Sequence, residues 1–476
     1  SYLVSELTGG LECNLTIKGL EEKNIMDYNQ RNASKESTAL VTRITSDKYS
    51  DSAYPKKHAL IKYMNPYEVM WSFVIGFYGE LKFGKFKLSD DKIKDIKAKI
   101  NNDDKSDSLP NSISFVAEFN DCVKWIENRV MEPHELAYTA LEYLNRSSVP
   151  EENFGIEKFV LLASTLWNCD KNITNAFKAR IETLQFLNFR TEGYLPENLL
   201  KDALSASTLK TLTLKFNKNQ ILTDNHGILL SSGNPGSDVE GLGNIQTIIK
   251  EVVLPVELKE DKPLLKYMDV LDFPGARALK GLEGADPDTI SNDIKDNSSE
   301  ILKDVYKRGK LLYLFETYKK GYDITLLLFC SENQPAEVPV LRTMIQSWIN
   351  IDPKQKPEDT SLFSVFTKAD MMIMQKDTVE DADVRITARF KENFSDYYGS
   401  WIDNYNETDK PFQNFYFVRN PQATNSSFTK VKGQDQLRRG FEKPRELLFK
   451  AFNDNEYAKK YLGSEMQTLL NEVFEP

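Results

Sequence analysis

Three apolar segments of strand length near the end of the chain constrain its fold more than any other feature. They are DITLLLFC (323–330), SLFSVFTKAD (361–370) and FQNFYFVRNP (412–421). Helical patterns at about 338–350 and 378–408 separate them. A continuous apolar run suits a strand that is buried on both faces. Strands that alternate with helices are typical of a parallel sheet with helical crossovers. We therefore predict an α/β fold.

Further strand patterns occur earlier in the chain. TALVTRIT (38–45) alternates and is rich in β-branched residues, and HALIKYM (58–64) reads similarly. LKTLTLKFNKNQILT predicts a hairpin that turns at Asn217-Lys218-Asn219. The apolar run IIKEVVLPVEL fits a strand or a buried helix, and YMDVLDFPGARALKG predicts a strand that enters a tight turn.

A long helical segment interrupts these strands. From Asn65 to about Ala206, apolar residues recur at helical spacing, with no strand expected among them. A helix is also predicted at 299–320, and two helices at 434–472. We expect four segments: 1–64 and 206–430 as two parts of one α/β domain, 65–205 as an all-helical insertion, and 431–476 as C-terminal helices.

The composition narrows the class of protein. The net charge of −10 argues against a nucleic-acid partner, which clustered Lys and Arg would bind. The four cysteines form no CxxC pair, so we expect no zinc site and a reducing, cytoplasmic location. The sequence contains no apolar run long enough for a transmembrane helix, and no signal-peptide pattern.

The motif LDFPG places a carboxylate at the end of a strand. Asp272 is suited to hold a metal-bound water on Mg²⁺, and Gly275 lets a backbone N–H approach a γ-phosphate. An ordinary exit from a strand into a turn is the alternative, since Pro and Gly are common turn residues.

The motif TKAD follows the strand SLFSVF and comprises Thr367, Lys368, Ala369 and Asp370. This is the pattern of guanine recognition: the carboxylate of Asp370 would accept hydrogen bonds from guanine N1–H and N2–H₂, and the stem of Lys368 would pack along the base. A solvated strand exit is the alternative. TKAD lies 98 residues (370 minus 272) after LDFPG, with a buried strand between them, which is the order of motifs in a GTPase sheet.

Two N-terminal residues complete a predicted Mg²⁺ site. Thr38 follows a polar loop and precedes a strand, as a switch I threonine does, and Ser37 is the second choice. A helix cap or an ordinary loop threonine is the alternative. Ser1 suits the last residue of a phosphate-binding loop, G-x-x-x-x-G-K-[ST], which occurs nowhere in the chain. We expect the rest of that loop upstream of Ser1, unless Ser1 is an arbitrary end.

The remaining site predictions concern the end of the last strand and the residues after LDFPG. Asn420 lies at the exit of FYFV and would contact the base through backbone groups. Ala276 occupies the position where Ras-like enzymes carry a water-orienting Gln, and Arg277 offers a catalytic cation or is an ordinary surface residue.

Taken together, LDFPGAR, TKAD, KESTALVTR and FYFVRNP resemble the bacterial putative virulence factor SrfC family, whose members look like large, dynamin-related P-loop GTPases. The resemblance implies a P-loop GTPase-type, mostly parallel sheet flanked by helices, with a helical insertion at 65–205. It implies GTP or GDP and Mg²⁺ as ligands, a bacterial source, and protein partners from the same virulence-associated operon. Its site residues are Ser1, Thr38, Asp272, Gly275, Lys368 and Asp370.

Several functions fit this sequence. An Mg²⁺-dependent GTPase switch is the main hypothesis, and a non-catalytic GTPase-fold scaffold is the alternative, supported by Ala276 and by the absence of a P-loop lysine. An ATP-using P-loop enzyme that contains TKAD by chance is a third. Self-association or membrane remodelling rests on analogy, because residues 430–452 suit a packing helix better than a membrane-surface one.

Overall fold

A computed structural model gives the structure of the chain. The residues that it describes are 7, 40–46, 58–80, 88–102, 113–129, 135–146, 155–204, 212–217, 235–256, 260, 263–274, 298–331, 339–350, 361–376, 378–391, 395–403, 414–420, 426–432 and 434–475. The chain folds into two compact units. Unit 1 contains residues 1–275 and 279–314, and unit 2 contains residues 276–278 and 315–476. The predicted segment boundaries at residues 64, 205 and 430 stay a prediction.

The strands of unit 1 are β1 Val41–Thr45, β2 His58–Tyr63, β3 Glu192–Pro196, β4 Leu212–Thr213, β5 Ile249–Pro255, β6 Val270–Asp272 and β7 Ser298–Ser299. Five of them form a sheet in the order β3-β2-β5-β1-β6. Among the described strands of this sheet, β1 and β5 are the only parallel neighbours, because β2 and β6 run opposite to the other three strands. The strands predicted at 38–45 and 58–64 are confirmed, but the mostly parallel pairing predicted for the sheet does not hold in unit 1.

Strand β3 corrects the prediction that residues 65–205 are all helical. Its five residues include Gly193 and Pro196, which weaken the strand signal, and only Gly193 and Leu195 are buried. Antiparallel pairing with β2, in which Leu195 lies opposite Ala59, provides the stabilisation that local sequence does not show.

A second pair of short strands involves the first arm of the hairpin predicted at 217–219, and the hairpin itself stays a prediction. β4 pairs antiparallel with β7, so Leu212 lies opposite Ser299. The second arm of the predicted hairpin lies outside the described residues. The ambiguous run IIKEVVLPVEL proves to contain β5, a strand with a neighbour on each side.

The helices of unit 1 are α1 Pro66–Glu80, α2 Asp90–Ile100, α3 Ile113–Arg129, α4 Glu135–Leu144, α5 Ile156–Ser164, α6 Lys171–Phe186, α7 Glu197–Leu204, α8 Pro235–Ile248, α9 Leu264–Tyr267 and α10 Glu300–Lys320, whose last six residues belong to unit 2. The start of α1 follows from its sequence. Asn65 and Glu68 exchange side-chain to backbone hydrogen bonds of 2.8 and 2.9 Å, and Pro66 occupies the first helical position.

The core of unit 1 joins the helices to one face of the sheet. It contains a group of packed aromatic side chains: the ring of Phe73 lies 4.6 Å from Tyr306, 5.8 Å from Phe177 and 6.0 Å from Trp167, measured between centroids. Ile61 of β2 belongs to the same buried cluster. Large aromatic residues bury enough apolar surface to fix one arrangement of the helices.

Unit 2 contains the parallel sheet that the sequence predicts. Its strands are β8 Leu327–Ser331, β9 Leu362–Thr367 and β10 Phe415–Val418, in the order β10-β9-β8, and both neighbouring pairs are parallel. Helix α11 Pro339–Ile349 connects β8 to β9, and α12 Val379–Phe390 and α13 Asp396–Tyr398 lie between β9 and β10. The expected strand–helix–strand order is confirmed.

Strand β8 was predicted to be buried on both faces, and this prediction is wrong. Leu328 and Cys330 are exposed, whereas Phe329 between them is buried. In the sheet described here β8 is an edge strand, so apolar composition alone overestimates its burial.

The C-terminal part differs from the two helices predicted at 434–472. It contains a hairpin of β11 Phe428–Val431 and β12 Gln434–Leu437, followed by α14 Glu442–Asp454, α15 Glu456–Leu462 and α16 Met466–Phe474. Leu448 and Phe452 of α14 are buried, and α14 packs against α12. Its apolar side is therefore used within unit 2. None of the described helices combines the length and apolarity needed to span a membrane.

Candidate functional site at the ends of β9 and β10

The structure brings together the residues predicted to recognise a base. Thr367, Lys368, Asp370 and Asn420 all lie in unit 2, where β9 and β10 end side by side. Asp272 lies in unit 1, at the end of β6. The prediction that Asp272 and Asp370 serve one nucleotide stays a prediction. The other predicted residues lie outside the described residues: Ser1, Ser37, Thr38, Gly275, Ala276 and Arg277.

Lys368 begins the turn that carries the predicted base-binding carboxylate. It adopts a left-handed conformation, with φ 54° and ψ 39°, and precedes the 3-10 turn Ala369–Met372. A side chain other than Gly is strained there, and such strain is concentrated at functional sites. The abrupt change of direction ends β9 and sends Asp370 back into unit 2, where it is buried.

The carboxylate of Asp370 is held from the neighbouring strand. Its Oδ1 accepts the backbone N–H of Asn420 at 2.8 Å, just beyond the end of β10. Its backbone carbonyl accepts the hydroxyl of Ser427 at 2.7 Å. The side chain is 0% exposed, and Oδ2 has no hydrogen-bond partner among the described residues. A buried carboxylate oxygen without a donor is costly, so this atom is the strongest indication of a ligand position.

Neighbouring side chains fix the end of β9. The hydroxyl of Thr367 donates to the carbonyl of Ser331 at 3.0 Å, which joins the ends of β9 and β8. The guanidinium of Arg389 lies 4.9 Å from the ring centroid of Phe366. Arg389 is 1% exposed, and its Nη2 lies 3.4 Å from the carbonyl of Thr367. These contacts hold the turn in front of Asp370 without touching its carboxylate.

Sequence reasoning did not identify Ser427 or Arg389. Ser427 is distant in sequence from Asp370 and carries no motif. Arg389 shows a weak signal: it stands between Ile386 and Phe390, on the apolar side of α12, where a charged residue is unexpected. A basic residue on the buried face of a helix after TKAD is therefore the one clue available.

In unit 1, Asp272 is the last residue of strand β6. It lies opposite Thr42 of β1 in an antiparallel pair and is partly exposed. A carboxylate in this position is a suitable oxygen ligand for Mg²⁺ or for a water bound to it. Among the described residues, no three His, Cys, Asp or Glu side chains form a preassembled metal site.

A second charged group in unit 1 is structural. Glu251 of β5 is 0% exposed and accepts two hydrogen bonds from Arg43 of β1, at 2.8 and 3.2 Å. Lys62 of β2 approaches the same carboxylate at 3.0 Å, and Arg43 also pairs with Asp269. Because both oxygens of Glu251 are paired, this network fixes the alignment of β1, β2 and β5.

Comparison with known proteins places the chain in a family. A sequence model of the family described as "putative bacterial virulence factor" matches residues 1–462. No curated protein and no solved structure matches the chain. The predicted resemblance to bacterial virulence factors is thereby confirmed. The family description names neither a ligand nor a reaction.

Proposed function

The chain belongs to the family of putative bacterial virulence factors, and we propose that it binds a guanine nucleotide, with the base at the ends of β9 and β10. The observation that carries this proposal is the buried carboxylate of Asp370. One of its oxygens is fixed by Asn420, and the other has no described donor. Guanine offers two adjacent donors, N1–H and N2–H₂, that adenine lacks, and a carboxylate accepts both.

The neighbouring residues suit the same ligand. The aliphatic stem of Lys368 would pack along the plane of the base. The backbone N–H of Asn420 keeps Oδ1 in place, so that the carboxylate presents a fixed edge. Because Asp370 is 0% exposed, a base reaches it only when the residues around it move. Binding is therefore expected to be slow compared with an open pocket.

The metal and hydrolysis part of the proposal rests on other residues. Asp272 is a candidate to hold a metal-bound water, with Ser1 and Thr38 as further oxygen ligands and Arg277 as a cation beside the phosphates. When bound, Mg²⁺ would neutralise the charge of the phosphate oxygens. GTP hydrolysis is the property that distinguishes a GTPase switch from a scaffold that only binds nucleotide.

Asp370→Asn in the full-length protein tests the base contact. An amide keeps the shape of the side chain but donates where the carboxylate accepts. We expect GTP affinity to fall by about 10- to 100-fold, because hydrogen bonds to charged groups contribute roughly 1.5–3 kcal/mol. Affinity for XTP should rise, since xanthine carries a carbonyl in place of the 2-amino group. Titration with fluorescent nucleotide analogues measures both affinities.

Asp454→Asn is the matched control, because Asp454 is an exposed carboxylate at the end of α14 and should leave both affinities unchanged. Equal binding of GTP and ATP by the unaltered protein would disprove guanine recognition. If GTP binds but Mg²⁺-dependent turnover is absent, with and without lipid vesicles, the scaffold hypothesis replaces the switch.

A further inference from the structure

Arg419 connects the candidate base site to the C-terminal end of unit 2. It stands between the last residue of β10 and Asn420, whose backbone N–H donates to Asp370. Its Nη1 donates to the carbonyl of Glu475 at 2.6 Å and to that of Val473 at 3.2 Å. These carbonyls lie at the end of α16, where helix carbonyls have no partner within the helix.

The same guanidinium also contacts both strands of the C-terminal hairpin. Its Nε lies 2.9 Å from Oδ2 of Asp435 in β12, and its central carbon lies 4.8 Å from the ring centroid of Phe428 in β11. The side chains of Arg419 and Asp435 are only 21% and 17% exposed, so solvent screens their ion pair incompletely. A rigid planar cation makes these three kinds of contact at once, which a lysine cannot do.

The hairpin is in turn bonded to the turn that carries Asp370. The hydroxyl of Ser427, the residue before β11, donates to the backbone carbonyl of Asp370 at 2.7 Å. The backbone N–H of Arg438 donates to the carbonyl of Ser427 at 2.8 Å, and its Nε donates to the carbonyl of Phe428 at 3.0 Å. Asp370 is thus held at its carboxylate through the end of β10 and at its main chain through the hairpin.

We propose that Arg419 is a positioning residue for guanine recognition: by fixing Asn420 against the hairpin and α16, it orients the carboxylate of Asp370 toward the base. This inference rests on the proposed function. It makes the C-terminal helix, which lies beyond the residues 1–462 matched by the family, a part of the base site. Movement of α16 away from Arg419 would loosen Asp370 without any change in the groups that touch the nucleotide.

Arg419→Ala and Arg419→Lys in the full-length protein test this role with two measurements. The first is hydrogen exchange of the Asn420 amide without nucleotide, which we expect to become about tenfold faster or more in Arg419→Ala as the local structure opens. The second is the ratio of GTP to ITP affinity. Inosine lacks the 2-amino group, so this ratio reports how well Asp370 is oriented. In Arg419→Ala the ratio should fall about fivefold or more, because a misplaced Asp370 loses much of its hydrogen bond to the 2-amino group.

A merely structural role would lower the active fraction but would leave the GTP-to-ITP ratio unchanged. Arg419→Lys should give intermediate values, since lysine keeps the charge but not all contacts. Arg439→Ala removes an equal charge from an exposed position after β12 and should match the unaltered protein. If Arg419→Ala fails to fold, Asp435→Asn removes only the ion pair and should shift both measurements in the same direction.

Unchanged exchange at Asn420 in both Arg419→Ala and Asp435→Asn would overturn the inference. Faster exchange with an unchanged affinity ratio would also overturn it, because Asp370 would then be oriented independently of Arg419. Absence of any GTP preference in the unaltered protein would instead refute the proposed function, and the exchange measurement would still decide whether Arg419 fixes Asn420.

Discussion

Lys368 holds a left-handed backbone conformation between β9 and the turn that carries Asp370. For a residue with a Cβ, this conformation costs roughly 1–2 kcal/mol because the Cβ approaches the following carbonyl. A glycine there would avoid the cost. A strained lysine next to a buried carboxylate indicates a position where the side chain serves function rather than stability.

Replacing Lys368 by Gly and by Ala separates backbone strain from side-chain function. Both variants lose the stem proposed to pack along the base, so both should bind GTP more weakly and to a similar degree. Lys368→Gly should be more stable than Lys368→Ala by about 1 kcal/mol, because only glycine relieves the left-handed strain. Chemical unfolding and nucleotide titration measure the two effects. Equal stability of the two variants would show that the turn is not strained.

At this scale the sequence predicted the groups that belong to a local motif. TKAD identified Thr367, Lys368 and Asp370, and the end of FYFV identified Asn420. The role of Ser427 and the contacts of Arg419 with the end of α16 were not predictable. These partners lie 54 to 57 residues away along the chain, and no spacing rule connects positions so far apart.

At the scale of elements, the crossing of α1 and α10 in unit 1 depends on two glycines. A Cβ on Gly309 would overlap the backbone of Ser72 and Gly76, and a Cβ on Gly76 would overlap the carbonyl of Val305. The two backbones therefore approach each other more closely than side chains allow. This proximity brings Tyr306 against Phe73 in the aromatic core.

Gly76→Ala and Gly79→Ala, two changes on the same helix, should have opposite effects on stability. Gly76→Ala forces α1 away from α10 and should lower the free energy of unfolding by about 1–3 kcal/mol, as overpacking does. Gly79 has open space around it, so its replacement should add about 0.5–1 kcal/mol from helix propensity. Thermal unfolding of both variants checks the contrast. A stabilising Gly76→Ala would contradict the close crossing.

The strength of local pattern explains which elements the sequence predicted. Strands β1, β2, β8, β9 and β10 show alternation or strand-length apolar runs, and all five occur where expected. In β3, β11 and β12, the residues Gly, Pro, Lys and Gln obscure the pattern. Pairing with a neighbouring strand, rather than propensity, makes these segments strands.

At the scale of the whole molecule, strand pairing was the least predictable feature. Thr42 pairs with Asp272, and Lys62 pairs with Glu251, across separations that hydrophobic periodicity does not encode. The parallel sheet of unit 2 was predictable because successive strands and helices specify it locally. The mixed sheet of unit 1 was not, because the helical segment after β2 separates β2 from its partners β3 and β5.

Buried cations in unit 1 make the stability of the molecule depend on pH. Lys310 donates to the carbonyls of Gln246 and Thr247 at the end of α8, both at 3.1 Å. Burial lowers its pKa to about 7, although Glu68 partly opposes this effect. Burial likewise lowers the pKa of Lys307 to about 8. The folded protein therefore releases protons that the unfolded chain retains up to about pH 10.

We expect the protein to become more stable as the pH rises from 7 to 9. A depressed lysine pKa costs stability in full below the folded pKa, and this cost disappears as the pH approaches the unfolded pKa. One such group contributes up to about 1.4 kcal/mol per pH unit. Lys310→Met should reduce this slope, and Lys450→Met, at an exposed position of α14, should not. Urea unfolding at each pH measures how the free energy of unfolding changes with pH. A slope that is unchanged in Lys310→Met would mean that Lys310 keeps an ordinary pKa in the folded state.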